Sequence, residues 1–156
     1  MIGAHLSGLT RRRFFGAAIA AVSAAMAISP ALAAPERLGF SGLYKSFGVR
    51  GLEFSDRVRA LAGSEIALDG YMAPPLKAES NFFVLTAEPM ALCPFCQSDA
   101  DWPVDIVVVY LRRTVSLSDA GARIGVQGRL EIGSWTDPES GFVSQLRIVD
   151  ARYAAR

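Results

Sequence analysis

The sequence predicts a mostly β domain, a small five-stranded OB-like barrel with one short N-terminal helix, and a small β-sandwich as the alternative. Three observations carry this expectation. Five segments between residue 65 and the end have strand length and either alternate apolar with polar residues or run apolar throughout. Only one short stretch carries helix start and stop signals. Glycines Gly70, Gly125 and Gly128 fall inside strand segments, where glycine permits the sharp coiling of a tight barrel. Closing the sheet also removes exposed edges.

The chain begins with a segment to be set aside before any fold is read. Thr10-Arg11-Arg12-Arg13-Phe14-Phe15 opens an uncharged, alanine-rich stretch from Phe14 to Ile28, and Pro30 and the small residues Ala31 and Ala33 follow. This order reads as a twin-arginine export signal over residues 1–33, with Arg11 and Arg12 as the address and Ala31 and Ala33 as the positions a signal peptidase reads. The apolar stretch is shorter than the roughly 20 residues a spanning helix needs, so no membrane span is expected after cleavage. The expected location is periplasmic or secreted.

Residues 34–53 form a lead-in containing Gly39, Gly42, Gly48 and Gly51, in which Leu43, Tyr44 and Phe47 are expected to pack as one helical turn. The OB-like domain is expected over residues 54–156. Ser55 reads as an N-cap, Asp56 as the acid of a first turn and Gly63 as the glycine past a helix end. Beyond Gly63 the period becomes two: Ile66, Leu68, Gly70 and Met72 face one way and Glu65, Asp69 and Tyr71 the other. Ala73-Pro74-Pro75 ends that strand, and Phe82 to Ala87 makes the second. The third runs from Asp105 to Leu111, and its four consecutive residues Ile106 to Val109 predict a strand buried on both faces or closing a barrel. In the fourth, Ile124, Val126, Gly128, Leu130 and Ile132 share a face opposite Arg123, Gln127, Arg129 and Glu131. Asp137-Pro138-Glu139-Ser140-Gly141 is a turn. The last strand runs from Phe142 to Tyr153, with Leu146 and Ile148 inward and Gln145 and Arg147 outward.

Charge and composition exclude several function classes. The leader holds three of the 16 basic residues and none of the 15 acidic ones, so the mature chain is slightly acidic. Nucleic acid as a partner is not expected, because it requires a basic footprint. The single histidine, His5, lies in the leader. The mature chain therefore has no Ser-His-Asp set, and no phosphate-cradling glycine loop is present. Tyr71, Trp102 and Trp135 are candidates for a ligand face, since OB-folds bind through exposed aromatics. Core or edge packing is their alternative use. Arg112 and Arg113 read as a solvated strand end.

Cys93-Pro94-Phe95-Cys96 lies in the loop from Glu88 to Pro103 and admits three readings. One is a short-range disulfide between Cys93 and Cys96, natural in an oxidising compartment. A second is thiol–disulfide exchange. That chemistry wants the first cysteine at a helix N-terminus, whereas Asp99, Asp101 and Pro103 follow here without a helical pattern. The third is metal binding: zinc with Asp99, Asp101 or a partner completing the set, or copper on the soft donors Met90, Cys93 and Cys96. No catalytic residue is assigned.

Several stretches resemble a bacterial family of exported proteins catalogued as a domain of unknown function. They are Asp69-Gly70-Tyr71-Met72-Ala73-Pro74, Phe82-Phe83-Val84-Leu85, Cys93-Pro94-Phe95-Cys96 and Gly128-Arg129-Leu130, and the likeness covers about residues 53 to 153. The resemblance implies an OB-like periplasmic domain and an association with transport systems, some of them for metal ions. The expected function is accordingly a non-enzymatic binding or accessory module with periplasmic or transporter proteins as partners. The competing expectation is a thiol–disulfide oxidoreductase using Cys93 and Cys96.

Overall fold

The computed structural model describes residues 34–48, 51–75, 79–90, 102–117 and 120–156; Arg11, Arg12, Ala31, Ala33, Cys93 and Cys96 lie outside them. The mostly β expectation holds, with more strands than the periodicity suggested. The elements are β1 (Glu36–Leu38), a 3-10 turn (Phe40–Gly42), β2 (Tyr44–Gly48), β3 (Gly51–Phe54), α1 (Asp56–Leu61), β4 (Glu65–Met72), β5 (Glu79–Thr86), β6 (Ile106–Ser116), β7 (Arg123–Thr136) and β8 (Val143–Ala155). Among the described residues no helix is long and apolar enough to cross a membrane.

The lead-in corrects the sequence expectation. Leu43, Tyr44 and Phe47 do not form a helical turn. Tyr44 and Phe47 belong to β2, which pairs antiparallel with β3, Tyr44 opposite Phe54 and Phe47 opposite Leu52. The glycines decide this. Gly48 and Gly51 flank the hairpin connection with φ of 151° and 96°, backbone that favours glycine and reverses the chain. Leu43 is fully buried and joins the main core, while Tyr44 stacks on Phe54 at 5.4 Å between ring centroids.

The helix follows its signals. The Ser55 hydroxyl accepts a hydrogen bond from the Val58 amide at 3.2 Å and donates to the Gly42 carbonyl at 2.6 Å, so one side chain caps the helix and ties it to the preceding turn. Val58 is fully buried in the core. Past the helix, the Gly63 amide donates to the Leu130 carbonyl at 2.8 Å and the Leu130 amide to the Ser64 carbonyl at 2.9 Å, which seats the helix end against β7.

The five long strands pair in the order β4, β5, β6, β8, β7. β4 pairs antiparallel with β5 and with β7, β5 with β6, and β7 with β8, while β6 and β8 run parallel. Following these pairings from β4 leads back to β4. β1 lies parallel to β4 along Ile66 to Leu68, and β5 takes over at Tyr71 and Met72. Gly70 stands at this change of partner: a Cβ there would meet the Thr86 carbonyl oxygen at 2.6 Å and Phe40 Cε2 at 2.9 Å. Only glycine lets the backbones approach so closely.

The main core takes the inward residues of every long strand: Ile66, Leu68 and Met72; Phe83 and Leu85; Val107 and Val109; Ile124, Val126 and Leu130; Leu146 and Ile148. Ile132 is partly buried against it. β8 changes phase once. Ile148 and then Ala151, three residues on, both join this core, because the strand bulges between Val149 and Arg152, where Asp150 has φ 53°. Gly128 faces the bulge, and a Cβ there would meet Ile148 Cγ2 and the Val149 carbonyl oxygen at 2.7 Å.

Candidate functional site

The strands β5 and β6 are apolar on both faces, as the run from Ile106 to Val109 predicts. Val84, Ile106, Val108 and Tyr110 point away from the main core into a second apolar cluster with Ala73. Phe82, Phe142, Trp102 and Val149 pack on it. Over β5 and β6 the outer side of the sheet is thus covered largely by aromatic rings.

The rings form a row. Phe142 stacks on Phe82 with centroids 6.1 Å apart, Phe82 on Tyr110 at 5.5 Å, and Tyr110 meets Trp135 edge-on at 5.2 Å. The Arg147 guanidinium lies 5.2 Å from the centre of the Trp135 ring. Arg147 also donates from Nε to Glu131 at 3.0 Å and from Nη1 to the Gly133 carbonyl at 2.8 Å. The backbone irregularity between Ile132 and Trp135, with Gly133 at φ 100°, accompanies this contact. Arg147 is only 9 % exposed, a correction to the expectation of a solvent-facing arginine: Glu131, the Gly133 carbonyl and Trp135 satisfy its charge beneath the surface.

At the Phe142 end the turn from Asp137 to Gly141 folds around a carboxylate. Asp137 Oδ1 accepts from the Glu139 and Ser140 amides, each at 2.8 Å, and the Asp137 amide donates to the Phe142 carbonyl at 2.8 Å. Gly141, at φ 73°, completes the turn. Burial works to raise the Asp137 pKa, but the amides of Ser140 and Glu139 outweigh it and hold the carboxyl below its ordinary value. Tyr110 Oη is buried and makes no hydrogen bond of normal geometry. Burial first, and the nearby Asp137 charge second, raise its pKa. The pull of Asp137 on this hydroxyl is electrostatic and falls short of a well-formed hydrogen bond.

Between this turn and the strands lies a groove of about 150 Å³. Glu79, Ser80, Asn81 and Phe82 of β5, Thr114 of β6, and Asp137, Glu139 and Ser140 of the turn line it. Among the described residues the lining carries three carboxylates, no cationic side chain and one aromatic edge. Thr114 is present because β6 runs on to Ser116, past the expected end at Leu111, with Val115 and Ser116 opposite Ser80 and Glu79. Arg112 and Arg113 lie within this extension and are exposed.

The sequence candidates are distributed differently. Of the three aromatics, Trp135 is 37 % exposed and belongs to the aromatic row. Trp102 is half-buried and donates from Nε1 to Tyr44 Oη at 2.9 Å; burial pushes the Tyr44 phenol up to about 12 even though that hydrogen bond pulls it down. Tyr71 is half-buried on β4 opposite Thr86. Met90 is half-buried. Among the described residues no three His, Cys, Asp or Glu side chains gather closely enough to hold a metal ion. Phe82, Tyr110, Asp137 and Phe142 were not singled out as site residues. The signals for them were the two-faced apolar runs of β5 and β6 and the Asp-Pro-Glu-Ser-Gly turn.

No family model matches this chain, and no curated protein matches it. Among solved structures the chain is similar to the crystal structure of a DUF3299 family protein from Pseudomonas aeruginosa PAO1, with a TM-score of 0.48, 18 % sequence identity, and coverage of 79 % of this chain and 97 % of that one.

Proposed function

We propose that the protein is a non-enzymatic periplasmic binding module, an accessory to a transport system, whose ligand face is the groove beside the aromatic row. The observation that carries the reading is the groove's lining: the carboxylates of Glu79, Asp137 and Glu139 with hydroxyl and amide groups between them and Phe82 at the edge. Such a lining suits a ligand that presents a cation next to an apolar or aromatic group, for instance a lysine- or arginine-bearing segment of a partner protein. The rigid setting of Asp137 supports this, because its Oδ1 is fixed by two amides and the carboxylate is preorganised rather than mobile.

In this reading the five long strands make a small OB-like barrel. The support is the order of their pairings, which returns to β4, and the tight approach of backbones at Gly70 and Gly128. The groove then lies on the outer face of the second and third barrel strands, between them and the turn that joins the last two. Export by the twin-arginine route and a metal-linked transport partner belong to the same proposal and rest on the leader and the family resemblance.

The test is site-specific photo-crosslinking in cells exporting the full chain, with the crosslinker at Thr114. A discrete adduct with a transporter component, lost in the double variant Glu79→Gln/Glu139→Gln, is the expected result. An adduct that persists undiminished in that variant contradicts a role for the groove's charge.

A further inference from the structure

We propose that the outer face of β7 and β8 carries a second site, for a small oxyanion such as a phosphate or carboxylate group, held between Arg152 and Arg156. It shares no lining residue with the groove and does not rest on the binding reading above.

Gly125 and Ala154 pair across the two strands and leave a pit of about 240 Å³ between the longer side chains around them. On one side Gln127 and Arg152 face each other, and Gln127 Oε1 accepts from Arg152 Nε at 3.2 Å and Nη2 at 3.0 Å. On the other side Arg156 crosses over Gly125 to reach Asp69 Oδ1 with Nε at 3.1 Å. A Cβ on residue 125 would collide with that guanidinium, so the glycine is what lets Arg156 lie across β7.

The charges around the pit do not balance. Asp69 is shared between Arg156 and Arg37, the latter at 3.4 Å. Arg152 has a neutral amide as its partner and, among the described residues, no carboxylate within ion-pair distance. Gln127 therefore fixes the direction of the Arg152 fork without neutralising it. Of the two guanidinium groups that line the pit, Arg156 is paired with Asp69 and Arg152 is not paired with an acid, and among the described residues the lining includes no acidic side chain. A directed arginine fork without a counter-charge, beside a second arginine and an open depression, is the arrangement that binds oxyanions through charge-assisted hydrogen bonds.

The test is an NMR titration of the full chain with inorganic phosphate and, separately, with acetate at equal ionic strength. Saturable shifts at the amides of Gly125, Gln127 and Ala154 are expected with at least one of the two anions; the one that binds more tightly identifies the oxyanion class. Arg152→Gln is expected to weaken binding about tenfold, the loss of one charged hydrogen-bonding group. Gln127→Glu supplies the missing counter-charge and is expected to weaken binding at least as much while leaving thermal stability unchanged or higher, which separates loss of the site from loss of the fold. Absence of saturable shifts with both anions, or equal affinity in wild type and Gln127→Glu, would overturn the proposal.

Discussion

Arg147 lies over the ring of Trp135, 5.2 Å from its centre, while its Nε holds Glu131 at 3.0 Å. The stacked guanidinium fixes the Trp135 end of the aromatic row, and its side chain is largely withdrawn from water. Arg147→Ala removes one of the two guanidinium partners of Glu131, leaving Arg129 at 2.6 Å, and uncovers the ring; a loss of about 2 kcal/mol is expected, below the range for breaking a fully buried pair, because Glu131 keeps Arg129 and some solvent. Arg147→Lys retains charge but not the planar fork and is expected to lose about half of that. Urea denaturation of both variants checks this; an alanine variant as stable as wild type would show that the stack is ornamental.

The two closest backbone approaches set a second expectation. Gly128→Ala pushes a methyl against Ile148 and the Val149 carbonyl, and Gly70→Ala pushes one against the Thr86 carbonyl and Leu85. Each is expected to cost about 2–3 kcal/mol, the upper part of the range for overpacking, since backbone cannot move aside cheaply. Gly42→Ala, where a Cβ meets nothing within 4 Å and φ is not positive, is the control and is expected to be neutral within about 0.5 kcal/mol. Thermal unfolding of the three variants gives the order directly.

Asp137 gives the turn a pH dependence whose sign follows from its lowered pKa. A carboxyl whose folded value lies below its unfolded value of about 4 contributes stability in full above that unfolded value. The contribution is lost as pH falls through the lowered folded value. Wild type is therefore expected to lose stability on acidification more steeply than Asp137→Asn, with the two curves converging below pH about 4. Parallel curves from neutral pH to acid would mean that the amides of Glu139 and Ser140 do not stabilise the charged form. On the alkaline side, burial raises both Tyr44 and Tyr110. A spectrophotometric titration should show phenols that ionise late, and Tyr110→Phe should remove one of them.

The cysteine pair makes a prediction that rests on the sequence. In freshly isolated mature protein the intact mass is expected to be lower by about two hydrogens, with Cys93 and Cys96 resisting alkylation until reduced. A bound zinc or copper ion in native mass spectra, removed by a chelator, favours the metal reading instead. Vigorous insulin reduction by the purified full chain would support the oxidoreductase alternative against the binding module.

The strand cores were legible in the sequence because alternation is a local property. Ile66, Leu68 and Met72, and Ile124, Val126 and Leu130, are buried on the face their spacing indicates. The hairpin of β2 and β3 was not, because its strands are short and mostly exposed and leave little alternation; only Gly48 and Gly51 mark its turn. The extension of β6 through Arg112 and Arg113 was missed for a related reason: charged, exposed residues look like a strand end unless the pairing of Val115 and Ser116, beyond them, with Ser80 and Glu79 is known. The aromatic row could not be read locally at all. Phe82, Tyr110, Trp135 and Phe142 come from three strands and a turn, and only the pairing of β5 with β6 and of β7 with β8 sets their rings side by side. Arg147 looked like a surface residue by parity, and its cover comes from Glu131 and Trp135 on the neighbouring strand.

The central claim is that the groove beside Phe82 binds a cation set next to an apolar group. The most direct measurement is a titration of the full chain with a short peptide carrying lysine beside phenylalanine, following the amides of Asn81, Phe82, Thr114 and Ser140. Saturable shifts at these amides are expected, weakened about tenfold in Glu79→Gln/Glu139→Gln, as loss of charged hydrogen-bonding partners requires. They are expected to be absent when glutamate replaces the lysine of the peptide. Equal shifts with the glutamate peptide, or shifts confined to other parts of the surface, would contradict the account.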